Sequence, residues 1–164
     1  MIALAFAATL AASDAQFVRD AMRIGNEELS RAHIAANATD VRQREYAQRI
    51  STDIGAANIE LISIARQYRV MLDVLPSPAA GAPSTPQPPQ RANVAKMRIL
   101  STTLTPARYF QLESANLRSA IALYARESRS TDRATLRSFS MKMLTTLRSD
   151  LKLAQRDAHE GNSR

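Results

Sequence analysis

The chain has 164 residues, is 45% hydrophobic, and carries a net charge of +7 from 22 basic and 15 acidic residues. That length allows one domain with a real core and not two, and the absence of cysteine excludes disulfides, thiolate chemistry and cysteine-ligated zinc or iron–sulfur sites. Four glycines, almost no strand-like alternation and many Ala, Leu, Arg, Glu and Gln residues exclude a sheet and predict an all-α fold.

Residues 1–12 (MIALAFAATLAA) are apolar and uncharged, and the small residues Ala11, Ala12 and Ser13 follow Leu10 as in a signal-peptidase site. The segment resembles a signal-peptide core without its basic leader. It is read as the remnant of an export signal or as a retained apolar N-terminal segment, well short of the ~20 residues that span a bilayer as a helix. A single helical domain is expected over 13–159, with a polar tail at 160–164.

Ser13-Asp14-Ala15-Gln16 has the spacing of a capping box and predicts the start of a first helix. Its seam is Phe17, Ala21, Ile24, Glu28, Ala32 and Ala35. After the polar break Asn37-Ala38-Thr39-Asp40, in which Thr39 or Asp40 serves as cap, a second helix runs to about Leu72. Ala47, Ile50, Ile54, Ala57, Leu61, Ile64, Tyr68 and Met71 form its buried face at alternating steps of three and four. So short a connection makes the two helices antiparallel neighbours.

Six of the seven prolines fall between Pro76 and Gln90, so residues 73–92 are a linker and not a helix. In extended form fifteen such residues reach about 45 Å, the length of a helix of roughly thirty residues, so the linker can return the chain to the opposite end of the bundle. A short helix is expected over 93–104. Thr105 as cap and Pro106 at the first helical position then start a third long helix. It is expected to turn Tyr109, Leu112, Asn116, Ala120 and Leu123 inward, with Phe110, Leu117 and Tyr124 alongside. Ser130-Thr131-Asp132 is a further capping turn. The last helix carries Leu136, Phe139, Met143, Leu147, Leu151 and Ala154 on its seam and frays from His159. Connections that run short, long, short predict a ferritin-like four-helix bundle with one long crossover between its second and third helices.

Tyr109, Ala122-Leu123-Tyr124, Glu127 and the run from Ser130 to Gln155 resemble the second half of a bacterial envelope family, domain of unknown function 4142. Asp14, Phe17, Glu28-Leu29, Ala32, Ile34-Ala35, Tyr46-Ala47, Arg49-Ile50, Asp53, Asn58 and Glu60-Leu61 resemble its first half, so the likeness covers residues 14–155 apart from the linker. It implies an exported or lipid-anchored ferritin-like bundle. Where that family pattern has Asp-His, this chain has Asp53-Ile54 and Asn116-Leu117, and Asp150 stands where its last histidine would be.

A di-iron site in such a fold needs inward glutamates and two Glu-x-x-His pairs, and no Glu-x-x-His occurs here. Glu28, Asp53, Glu60, Glu113 and Asp150, with Glu127, are the carboxylates that an all-oxygen cation site would draw on; pairing with arginine across helix boundaries is the plainer expectation for them. No metal or cofactor is therefore expected. His33 reads as a boundary residue, Met141 and Met143 as packing residues, and the four tyrosines as core aromatics with hydroxyls at the rim. No serine, histidine and acid arrangement can be drawn and no phosphate-cradling glycine loop is present, so no catalytic residue is expected. The basic residues are spread along the chain with no interleaved aromatics, which argues against a nucleic-acid partner.

The sequence thus predicts a non-catalytic, exported helical bundle that acts as an interaction or structural protein, periplasmic or membrane-associated, with a protein partner such as a membrane complex. Two alternatives stand beside it: a ferritin-like metal or redox protein of the envelope stress response, and a peripheral binder of an anionic lipid surface.

Overall fold

The computed structural model describes residues 11–72 and 105–162. Within them lie four helices and no strand: α1 (Ala12–Ala35), α2 (Val41–Gln67), α3 (Pro106–Ser130) and α4 (Ala134–Asn162). The apolar segment 1–10, the proline-rich linker and the short helix expected over 93–104 lie outside the described residues.

The helix ends follow local chemistry, with three departures. Helix α1 begins at Ala12 behind Ala11, and no side chain caps it. The box expected from Ser13 does not form, because these residues are already helical and Asp14 is buried in the first turn. Asp40 caps α2 as expected, its Oδ1 accepting from the Gln43 amide at 3.1 Å. The Arg44 guanidinium donates to the Ala38 and Thr39 carbonyls, at 2.7 Å each, and so satisfies the turn between α1 and α2. Helix α2 stops at Gln67, five residues before the expected end. Arg69 takes a left-handed φ of 56°, and the Arg69 and Val70 amides turn back to the Arg66 and Ala65 carbonyls. This is a Schellman stop with arginine where glycine is usual, and it leaves Met71, expected in the seam, 85% exposed. Thr105 caps α3 through the Arg108 amide, with Pro106 at its first position as predicted. Helix α4 does not fray at His159 but continues to Asn162.

The pairs between helices fix the topology. Asp14 meets Thr131 and Arg31 meets Glu113, so α1 and α3 are antiparallel. Arg49 meets Asp150, Glu60 meets Lys142 and Tyr68 meets Thr135, so α2 and α4 are antiparallel too. With both hairpins closed by short turns, the order is up, down, down, up. Helices α2 and α3 then run parallel, and the chain from Leu72 to Thr105 joins opposite ends of the bundle. That is the ferritin-like four-helix arrangement.

Small residues bring the helices of the first hairpin together. Gly25 faces Asn58 so closely that an added Cβ would lie 2.2 Å from its Oδ1. The two hairpins stand further apart from each other than the helices within each do, and large side chains fill the space: Phe17, Tyr46, Phe110, Leu117, Tyr124, Phe139 and Leu147 are all buried. Each such side chain contributes roughly 1.5–3 kcal/mol by leaving water. The expected faces of α2 and α4 hold, from Ala47 to Tyr68 and from Leu136 to Ala154, although Leu151 is only partly buried. On α3, Tyr109, Phe110, Leu117, Ala120 and Tyr124 are buried as expected, but Glu113 joins them, Asn116 and Leu123 are only partly buried, and Leu112 is exposed. Met141 is also exposed and not a packing residue.

Candidate functional site

Glu28 and Arg31 lie one turn apart on the inner edge of α1, a spacing that lets the two side chains meet. The Arg31 guanidinium donates to Glu28 and also reaches Glu113 on α3, with Nε 3.2 Å from Oε1. On the other side of the bundle, Arg49 of α2 places Nε 2.8 Å from Asp150 Oδ1 on α4 and 3.6 Å from Asp53 Oδ2, and its Nη2 donates to Ser149 Oγ at 3.0 Å. Two guanidinium bridges therefore cross the two seams between the hairpins, and each ties together a pair of carboxylates.

Tyr46 stands between them. Its ring packs edge-on against Tyr109 and Phe110, with centroids 6.2 and 5.5 Å away. Its hydroxyl, expected at the rim, is buried and has no hydrogen-bond partner among the described residues. Burial, with the charges of Glu113, Glu28 and Asp150 nearby, pushes the phenol far above its ordinary value. Tyr109 is shifted the same way by burial and by Glu113. One oxygen of Glu113 and one of Asp150 are likewise buried without a partner.

Electrostatics splits the acids. Burial, and then the hydrogen bond and charge of Glu28, raise the Glu113 carboxyl well above its usual range, with Arg31 pulling the other way. Burial raises Asp150 too, against the pull of Arg49. The guanidinium of Arg31 loses water on burial, but Glu28 and Glu113 more than offset this and keep it charged. The layer thus sets two guanidinium groups among carboxyls, of which Glu113 and Asp150 are pushed up by burial.

The remaining predicted carboxylates lie elsewhere. Glu60 is at the surface in an ion pair with Lys142 at 2.7 Å. Glu127 sits at the far end of the bundle, buried beside Asp14, which accepts from Thr131 Oγ1 at 3.2 Å. Burial and the Asp14 charge raise the Glu127 carboxyl to about 7, against the pull of Arg126. The buried partnership of Asp14 was missed by sequence reasoning, because the other half of the contact lies on the α3–α4 turn.

Among the described residues no group of three or more histidines and carboxylates is gathered closely enough to hold a metal ion. A di-iron centre does not fit: guanidinium groups already stand between the carboxylates, and both histidines, His33 and His159, lie at exposed positions. Ile54 and Leu117 are apolar core. Beside the charged layer a cavity of about 20 Å³ is lined by Gly25, Glu28, Ile54, Asn58, Leu117 and Tyr124 among others. It has room for about one water molecule and for no organic substrate.

A family model described as a domain of unknown function, DUF4142, matches residues 2–156. The chain belongs to the DUF4142 family. No curated protein and no solved structure matches it. The match spans all four helices of this DUF4142 protein apart from the last turns of α4, and so includes every residue of the charged layer.

Proposed function

We propose that this DUF4142 protein is a non-catalytic interaction or structural bundle of the bacterial envelope, working as an accessory subunit on a larger membrane-associated assembly. The observation that carries the reading is the occupation of the bundle centre. Arg31 and Arg49 pair with the carboxylates that a ferritin-like metalloprotein would turn toward metal, so guanidinium groups of the chain itself stand among them. A centre occupied in this way serves the shape of the bundle, and the outer faces are left to act. The export-like segment at residues 1–12 supports the envelope as the place of action.

The test is gentle affinity purification of the full chain from the native envelope fraction, with partner stoichiometry and metal content measured on the same sample. A partner in fixed ratio, and metal far below one ion per chain, is the expected result. A lone bundle carrying stoichiometric iron or manganese, lost on changing Glu28 and Asp53 to alanine, would overturn the proposal in favour of a metal or redox protein.

A further inference from the structure

The two hairpins carry charge differently. Residues 11–72 hold eight basic and eight acidic side chains, whereas residues 105–162 hold ten basic and six acidic ones. Four of those six acids, Glu113, Glu127, Asp150 and Asp157, are buried. The surface of the second hairpin therefore opposes its basic residues with Asp132 and Glu160 alone, and the exposed face of α3 has no acid at all.

The geometry makes this a face. Arg118, Arg126 and Arg129 recur on the outward side of α3 around Ala122, and Arg137, Arg148 and Lys152 recur on that of α4 around Met141 and Thr145. Arg118, Arg129, Arg148 and Lys152 enter no ion pair among the described residues. Antiparallel helices of about 40 Å present these cations over a long, shallow surface. The residues between them are small, and Met141, 59% exposed, is the large apolar exception.

We infer that the outward face of the α3–α4 hairpin docks on a lipid surface bearing anionic headgroups. Charge complementarity over a long, shallow area suits a plane of phosphates. The aromatics of the hairpin, Tyr109, Phe110, Tyr124 and Phe139, are all buried, so the face has no platform on which bases could stack. No helix among the described residues is long and apolar enough to cross a membrane, so these helices attach from the side. The inference deepens the interaction-bundle reading, and rests on it, by naming a surface and what it meets.

The experiment is co-sedimentation of the full chain with vesicles of phosphatidylcholine alone or with about 30% phosphatidylglycerol, at about 50 and 500 mM NaCl. The chain should bind only the anionic vesicles and release them at the higher salt. The variant R118Q/R148Q/K152Q should lose at least about tenfold in affinity, while R19Q/R66Q/R69Q, with the same change of charge on the first hairpin, loses less than about threefold. Both are surface changes, and matched melting temperatures verify that they fold. Equal losses in the two variants, binding indifferent to salt, or no binding to anionic vesicles overturns the inference. If vesicles stay bare while a protein partner is recovered in fixed ratio, lipid docking fails and the interaction-bundle reading stands. If vesicles bind and the purified chain is a lone metalloprotein, the reverse holds.

Discussion

Two glycines on different helices behave as opposites. Gly25 lies against Asn58, which donates to Asn26 at 3.0 Å and is itself nearly buried, so a methyl group there must displace a held side chain. Gly25→Ala should cost about 1–3 kcal/mol in urea denaturation despite the better helix propensity of alanine, and adding Asn58→Ala should recover part of it. At Gly55 a Cβ meets nothing within 4 Å. Gly55→Ala should therefore stabilise the protein by about 0.5–1 kcal/mol. The Glu127 carboxyl gives a pH signature. Its folded value of about 7 lies above the ordinary 4.5, so between these values the folded chain holds a proton that the unfolded chain has released. This group's contribution to stability thus falls as pH rises through that window. In Glu127→Gln the melting temperature should decline less between pH 5 and 8 than in the parent, by roughly 2–6 °C. Caps such as Asp40 and Thr105 were legible in the sequence because cap chemistry is complete within four residues. Asp14 was not, since what buries it is Thr131, 117 positions away.

At the scale of the element, the periodicity of α2 is the firmest part of the sequence. Ile54 lies at its centre, 5% exposed. Ile54→Asp should cost 3 kcal/mol or more, on the order of a buried unpaired charge, and a melting temperature like the parent's would show that the register is wrong. Helix α3 shows where such reading breaks down. A pattern counted on apolar residues alone expects Leu112 and Leu123 inward, but Glu113 and Glu127 belong to the buried face, and no local rule marks a glutamate as interior. The carboxylates were legible as candidates and arginine as their kind of partner, but not which arginine reaches Glu113 or Asp150, because those two are met from other helices. Arg31 also makes a prediction. Its replacement by methionine leaves Glu28 and Glu113 facing each other and should cost about 3–5 kcal/mol. The loss should be larger at pH 8 than at pH 5, where the Glu113 carboxyl, pushed up by burial, takes up a proton more readily.

For the whole molecule, the order of connections was enough to name the arrangement: two short turns and one long connection leave α2 and α3 parallel across the diagonal. What it did not reveal is how contacts are divided between levels. The first hairpin closes over Gly25 and the Asn58–Asn26 hydrogen bond and the second holds the Tyr124–Phe139 ring contact, whereas the guanidinium bridges join one hairpin to the other. That division bears on the route by which the chain folds. Each hairpin closes over a turn of a few residues, whereas Arg49 and Asp150 are 101 positions apart. Local pairs form quickly and distant ones wait for loop closure, so two preformed hairpins should collide late, and the arginines shed their water only in that final docking. Arg49→Ala should accordingly speed unfolding in stopped-flow measurements while leaving the folding rate nearly unchanged. The charged layer would then act as a latch set after the rest of the bundle has formed, which limits how long the assembled chain stays shut.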